Sequence, residues 1–358
     1  MNPGAPLTLT IHDVAFGGRG VGRLDGQVVF VPFTIPGETI RARVVRKKKN
    51  FVEAELVAID VPSAARVEPP CPYFTRCGGC AYQHIVYAEQ LALKHGQVEQ
   101  TLRRVGKLET VPMQPIVAAP REYGYRNRIR VHVGGGVAGF FAQGAHAIVD
   151  VEECAIAAPA VNKALRELRN ASVPDGDYSL RASGGGPFFE QTNPEVTQLM
   201  LGVVRANVRE GQALLVDAYC GAGLFAKHLA DIFEEVIGIE ENENAIERAR
   251  RKTTAREHYH HGDVSALLGE ILSAHDAART TVILDPPAIG ITARVSDLLL
   301  AGRPAEILYV SCNPATLARD LAILCRTYTL KSVTPLDMFP QTAEIEVVVR
   351  LALEAAAG

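Results

Sequence analysis

At 358 residues the chain is long for one domain, so two or three structural units are expected. Hydrophobic residues at 47% and charged residues at 22% fit an ordinary globular protein and exclude long disorder. A net charge of −3 excludes whole-molecule attraction to nucleic acid, so any RNA contact must come from local basic patches.

The first twenty residues hold His12, Asp13 and Arg19 among several glycines, unlike the apolar core of a signal peptide. No apolar run approaches membrane-spanning length. A cytoplasmic protein is expected, with no membrane association and no obligate protein partner inferred. In that reducing compartment the seven cysteines (71, 77, 80, 154, 220, 312 and 325) read as metal binding or catalysis before disulfides.

Residues 7–60 show short alternating apolar runs broken by glycine and proline, the pattern of a small antiparallel β-barrel. Its third run leads into Arg41 to Lys49, a positive stripe expected on a sheet edge and turn. Charge alone fits a solvated edge and an RNA contact equally well. A proline-rich linker at 61–72 enters the cysteine cluster, and residues 87–104 have helical apolar spacing. Residues 121–133 then interleave Arg121, Arg126, Arg128 and Arg130 with Tyr123 and Tyr125. That mixture suits phosphate contact plus base stacking, although a strand with an arginine face has the same pattern.

From about residue 195, strands alternate with helices such as 242–255 and 315–325, which predicts a mostly parallel sheet covered on both faces. The last two strands have no helix between them and should form an antiparallel hairpin at one side. Asp217-Ala-Tyr219-Cys-Gly221-Ala-Gly223 lies where the first strand turns into a helix, so backbone can approach a ligand closely. Glu240 ends the next strand and can accept both hydroxyls of a ribose, and Asp263 ends the third, in reach of an adenine amino group. Three acidic strand ends suggest adenosine without a pyrophosphate, which favours S-adenosylmethionine over a nicotinamide cofactor.

Ser311-Cys312-Asn313-Pro314 ends the fifth strand, with Pro314 in the first turn of the following helix. A cysteine before a helix N-terminus has a lowered thiol pKa and a larger thiolate fraction. Cys312 also lies at the carboxyl edge of the sheet, beside Asp285-Pro286-Pro287 on the neighbouring strand. Cys220 and Cys325 read as buried structural cysteines. A thiolate adding to carbon 6 of uracil turns carbon 5 into a nucleophile, after which a base must remove the carbon 5 proton. Glu344 and Glu346, expected together on one face at the start of the last strand, are the candidates for that base.

These residues resemble the family of RNA 5-methyluridine methyltransferases over nearly the whole chain. Cys71, Cys77, Cys80 and Gln83, followed by Tyr87 and Gln90, are similar to the family's cluster segment, and Val151 to Cys154 to the site of its fourth ligand. Spacing alone suits either zinc or iron–sulfur; the resemblance implies a [4Fe–4S] cluster. It also implies that residues 7–60 are a TRAM domain, which tips Arg41 to Lys49 toward RNA. Phe189-Glu-Gln191-Thr-Asn193 resembles the family's FxQxN segment and implies that Gln191 contacts cofactor or base. Asp217, Tyr219, Gly221 and Gly223 resemble the cofactor loop, Asp285-Pro-Pro the DPPR motif, Ser311 to Pro314 the nucleophile loop, and Met338-Phe339-Pro340 with Glu346 the terminal motif.

The implied fold is α/β: a class I methyltransferase doubly wound sheet with a C-terminal antiparallel hairpin, after a small β-barrel and a cysteine-rich central domain. The expected divisions are 1–62, 63–188 and 189–358. The implied activity is methylation of carbon 5 of a uridine, with ribosomal RNA favoured over transfer RNA. Cys312 is the expected nucleophile and Glu346 the aligned base. Three departures point to altered substrate positioning: Ala288 replaces the usual arginine after Asp-Pro-Pro, and Gln341 and Glu344 replace usual histidines. They also support the rival reading, an RNA-binding or assembly factor with an inactive methyltransferase domain. Cytosine carbon 5 methylation would call for a second catalytic cysteine in a Pro-Cys pair, which Asp285 to Ala288 lacks. The stretch from Cys154 to Phe189 is short for the family's central domain.

Overall fold

A computed structural model describes residues 2–182 and 191–353, so Phe189 of the expected FxQxN segment lies outside the described residues. The chain forms two compact units. One is built from Met1–Gln97, Ala119–Gly184 and Phe339–Glu344, the other from Val98–Ala118, Gly185–Met338 and Ile345–Gly358.

In the first unit, β1 (Pro6–Ala15), β2 (Arg19–Leu24), β3 (Gln27–Pro32), β4 (Thr39–Lys47) and β5 (Phe51–Val61) close a barrel in the order β1-β2-β3-β5-β4. Period-two alternation turns Leu7, Leu9, Ile11, Val29, Val31, Ile40, Val44 and Val52 into one core. All pairings are antiparallel except β3 with β5, which run parallel. Closure corrects one expectation: β4 pairs with both β1 and β5, so the basic stripe does not lie on a sheet edge. The chain then runs through α1 (Tyr87–Arg104), whose bounds coincide with the helical spacing. A second sheet follows in the order β8-β7-β6-β9, from β6 (Arg128–Gly134), β7 (Val137–Phe141), β8 (Ile148–Asp150) and β9 (Gly176–Arg181). Its inner face, with Ile129, Val131 and Ala138, packs on Val161 and Leu165 of α2 (Pro159–Asn170).

The second unit contains α3 (Pro194–Asn207), β10 (Leu214–Ala218), α4 (Leu224–Leu229), β11 (Glu235–Glu240), α5 (Glu243–Ala249), β12 (Glu257–His261), α6 (Val264–Ala274), β13 (Thr280–Leu284), α7 (Ala293–Gly302), β14 (Glu306–Ser311), α8 (Pro314–Leu324), β15 (Thr329–Leu336) and β16 (Glu346–Ala352). Its sheet has the order β12-β11-β10-β13-β14-β16-β15, parallel from β12 to β14. β16 inserts between β14 and β15, antiparallel to both. The central strands read as continuous apolar runs because both faces are covered. Helix starts follow cap chemistry, with Asn193, Asn242, Asp263, Thr292 and Asn313 each accepting a backbone N–H of the first turn. The helix expected at 242–255 ends at Ala249, and Lys252 then takes a left-handed φ of 57°. Glu344 is also corrected: it is exposed and precedes β16, so it shares no strand face with the buried Glu346.

Glu38 anchors the exit from the barrel. Its fully buried carboxylate accepts from Arg66 Nε at 2.5 Å, Arg66 Nη2 at 3.0 Å and the Ile35 amide at 3.0 Å. Glu38→Ala would leave Arg66 without its counter-charge, and a stability loss of about 3–5 kcal/mol is expected from urea unfolding. A loss under about 1 kcal/mol would mean that water readily replaces the pair.

Candidate functional site

Strand register assembles the reactive edge. The last β14–β16 pair is Ser311 with Val347; Cys312 follows the end of β14 and Glu346 opens β16, each the chain neighbour of one member of that pair. Cys312 is exposed, while Glu346 is buried and pairs on its other side with Leu336. Asn313 caps α8 immediately after the cysteine, and Pro314 opens that helix.

The loop after β10 supplies the second part. Tyr219 and Gly221 have φ of 68° and 55°, and Gly223 caps α4 at 84°. A Cβ on Gly223 would stand 2.8 Å from the Tyr259 hydroxyl, so both conformation and space require glycine. Glu240, at the end of β11, takes the Gly221 amide on Oε2 at 3.0 Å and the Asn242 amide on Oε1 at 2.7 Å. Asp263 uses Oδ1 to cap α6, accepting from the Ser265 amide at 2.7 Å, and the Ser265 hydroxyl lowers its pKa first among several contacts.

Asp217 is fully buried. Its Oδ2 accepts from the Ala226 amide at 2.9 Å, while Oδ1 has no partner among the described residues. Burial pushes its carboxyl up to about 8; the Ala226 contact opposes this, and the Asp285 and Glu240 charges reinforce it. Burial also raises Asp285. Gln191 is buried just before α3, and Asn193 is committed to structure, capping α3 and donating to the Met338 carbonyl at 3.3 Å.

A further network, not anticipated from sequence, ties the segment after Asp285 to α8. Asn313 Nδ2 and Thr316 Oγ1 both donate to the Ala288 carbonyl, at 3.1 and 3.0 Å. Asp320 is buried and accepts from the Ile291 amide at 3.0 Å, the Tyr309 hydroxyl at 2.7 Å and Arg319 Nε at 2.9 Å. The available signal was an aspartate in register with Leu317, Leu321 and Leu324 on the apolar face of the helix.

In the first unit Cys71, Cys77, Cys80 and Cys154 line one cavity of about 190 Å³, with Phe74, Ile129, Phe140 and Ile156 as apolar wall. The Cys154 amide is fixed by Asn162 Oδ1 at 2.9 Å, and the Cys71 amide by Gln83 Oε1 at 3.3 Å. Burial, before the influence of the neighbouring thiols, pushes Cys80 up to about 12 and Cys154 up to about 11, and it raises Cys77 as well. Among the described residues no three His, Cys, Asp or Glu side chains close on a single ion.

The basic segments are more neutral than their sequence. Arg41 pairs with Asp60 at 2.9 Å, Arg43 with Glu55 at 3.4 Å and Arg46 with Glu53 at 3.8 Å. Tyr125 is a core residue whose hydroxyl donates to the Pro340 carbonyl at 2.9 Å, so its ring is not available for base stacking. Arg128, beside Arg126, Arg130 and Arg181, has its pKa lowered first by burial and then by those like charges.

The strand order, the hairpin and the glycine turn between acidic strand ends define a class I S-adenosylmethionine-dependent methyltransferase. The same fold is found in the crystal structure of Pyrococcus abyssi tRNA (uracil-54, C5)-methyltransferase in complex with S-adenosyl-L-homocysteine, at a TM-score of 0.71 and 24% identity, covering 97% of this chain and 100% of that one. Residues 266–354 match the family described as tRNA (Uracil-5-)-methyltransferase, residues 2–57 the TRAM domain and residues 216–273 a methyltransferase domain. An uncharacterized RNA methyltransferase of Bdellovibrio bacteriovorus is 36% identical, covering 98% of this chain and 96% of the relative. One from Thermosynechococcus vestitus is 31% identical, covering 97% and 98%. That second alignment runs to 444 positions, so the relative carries insertions that this 358-residue chain lacks. The chain belongs to the RNA 5-methyluridine methyltransferase family and is an RNA methyltransferase.

The raised Asp217 pKa makes a stability prediction. An unfolded aspartate loses its proton near pH 4, whereas folded Asp217 holds it to about 8. Its contribution to stability is therefore fully present below about pH 4 and is lost as pH rises toward 8. The cofactor-free protein should unfold at lower urea at about pH 8 than at about pH 5, and Asp217→Asn should flatten that difference. Equal pH slopes for the two proteins would show that Asp217 titrates normally.

Proposed function

We propose that this RNA methyltransferase methylates carbon 5 of a uridine through a covalent bond between Cys312 and carbon 6, with Glu346 as the base. The β14–β16 ladder, whose last pair is flanked in sequence by the exposed Cys312 and the buried Glu346, is the observation that carries this reading. S-Adenosylmethionine, when bound, supplies an electrophilic methyl group on a sulfonium. Cys312 Sγ bonds carbon 6, and the ring electrons this displaces give carbon 5 the pair that takes the methyl group. Glu346 then removes the carbon 5 proton, and the Cys312–carbon 6 bond breaks to restore the ring.

Gln191, Asp217, Tyr219, Gly221, Gly223, Glu240, Asp263 and Asp285 form the proposed cofactor and base pocket. The partnerless Asp217 Oδ1 supports a ligand carrying cationic or N–H groups. Of the three departures, Gln341 is a structural hub: it exchanges hydrogen bonds with Gln90 at 3.0 and 3.2 Å, and its carbonyl accepts from Ala81 and Tyr82. Glu344 is exposed outside the strand, so neither replacement removes the nucleophile or the base. The proposed division of labour assigns RNA binding to the barrel at 1–62 and to the arginine segment of 63–188, with chemistry in 189–358. Ribosomal RNA is the favoured substrate and transfer RNA the alternative. The seven cysteines form no disulfide among the described residues, which fits a reducing, cytoplasmic setting, and among the described residues no helix is long and apolar enough to cross a membrane.

We also infer that Cys71, Cys77, Cys80 and Cys154 hold a [4Fe–4S] cluster. Four thiols lining one largely apolar cavity are a donor set that zinc or an iron–sulfur cluster can take, and the family resemblance favours the cluster. Cys71→Ser should lower iron and acid-labile sulfide content together with the thermal midpoint, because ligand loss removes a cross-link between distant segments. Lost iron with an unchanged midpoint would oppose that structural role.

Labelled methyl transfer to unmodified total ribosomal and transfer RNA, followed by nucleoside mass spectrometry, tests the main reading. The wild type should form 5-methyluridine and Cys312→Ala should form none. Glu346→Gln should accumulate protein–RNA adduct that resists denaturing electrophoresis, since the proton that permits elimination stays on carbon 5. 5-Methyluridine from Cys312→Ala would overturn the nucleophile assignment.

A further inference from the structure

Among the exposed large hydrophobic residues described, Ile289 is the most exposed, at 74%, against 54% for Val45 and Val61. A lone exposed apolar side chain is ordinary on a protein surface. What distinguishes Ile289 is the loop that carries it. The preceding carbonyl, of Ala288, is held by Asn313 and Thr316, on either side of the start of α8. Arg319 Nη2 donates to the Ile289 carbonyl at 2.8 Å and to that of Ile291 at 3.3 Å. Asp320 takes the Ile291 amide. Gly290 between them has φ of 78°, and a Cβ there would stand 2.4 Å from Asp320 Oδ2. The carbonyls of Ala288, Ile289 and Ile291 are thus fastened to one helix and its cap while the Ile289 side chain is exposed to solvent. The helix is the one that Cys312 precedes, and the bonded Ala288 and Asn313 are chain neighbours of Ile289 and Cys312.

We propose that Ile289 is an RNA-contacting residue, an apolar tip that packs against the nucleobase next to the one presented to Cys312. A base that reacts with a thiolate must leave its stack, which exposes the faces of its neighbours. Apolar side chains fill such gaps at a cost of unstacking that the contact offsets. A contact of this kind needs a side chain that does not retreat, and the bonds to Asn313, Thr316, Arg319 and Asp320 supply that rigidity. The inference rests on Cys312 being the reacting group. The small Ala288 beside it leaves the tip unflanked by a long side chain.

The test uses a hairpin RNA spanning whichever nucleotide total-RNA methylation maps, with 2-aminopurine beside that nucleotide. Wild-type protein should raise 2-aminopurine fluorescence on binding, as the probe unstacks. Ile289→Ala should lose most of that rise and lower kcat/KM for RNA by roughly tenfold, as expected for removing part of a buried aliphatic contact. Ile289→Leu should restore both, and S-adenosylmethionine affinity by calorimetry should be the same for all three. If Ile289→Ala keeps the fluorescence rise and the rate, the contact does not exist. If only the leucine variant fails too, with circular dichroism and cofactor affinity intact, the tip is shape-specific and the RNA contact stands. Methyl found on another base would remove the uridine reading while leaving the fluorescence comparison valid.

Discussion

Antiparallel pairing of β16 with β14 is the constraint on which the catalytic unit depends. A parallel strand inserted there would bring its carboxyl end, near Ala352, to the edge that carries Cys312. Running the other way, β16 delivers its first residue, Glu346, to that edge. The buried Glu306 holds this arrangement at the opposite end, accepting from Arg350 Nε at 2.8 Å, Thr281 Oγ1 at 3.1 Å and the Arg209 amide at 3.1 Å. One carboxylate therefore ties β13, β14 and β16 together, and a slip of one residue would send Glu346 to the other face of the sheet.

Two of the buried acids of this unit, Asp320 and Asp217, serve different ends. Asp320 has all its nearby donors in place and acts as a fastening point for the loop after Asp285. Asp217 lacks a partner on Oδ1 and carries its proton up to about 8. An unsatisfied buried polar atom costs about 1–3 kcal/mol, and it persists where function asks for it. A ligand bringing a donor or a positive charge to Oδ1 would lower the Asp217 pKa and recover that cost.

How much could be read beforehand follows from the range over which each feature is determined. Four of the five barrel strands, α1 and the alternation after residue 195 are local patterns that periodicity locates, whereas β2, with glycines at positions 20 and 22, carries no apolar alternation to mark it. The glycine turn at 221–223 and the cysteine before Pro314 are local as well, each set by its own φ or cap. The barrel is legible, but the second neighbour of β4 is not, because its pairing with β1 joins residues 29 to 37 positions apart. Tyr125 was misjudged for the same reason: its partner is the Pro340 carbonyl, 215 positions along the chain. Cys154 joins the other cysteines only because the sheet from β6 to β9 folds that segment back, and spacing carries no trace of it.

Charge accounting explains how a chain with net charge −3 can serve an RNA enzyme. The barrel spends most of its arginines internally: Arg19, Arg41, Arg43 and Arg46 all face acids of β5. Such exposed pairs add roughly 0–1 kcal/mol each to stability, so their larger effect is to quiet the outer face of the strands. Lys47, Lys48 and Lys49 at the β4–β5 turn are left with no ion pair among the described residues. Positive potential is thus concentrated at a turn, where phosphates can approach from several directions, rather than spread along a sheet face. With a Debye length of about 8 Å at physiological salt, such a patch acts over only a few residues, which suits recognition of RNA shape more than long-range capture.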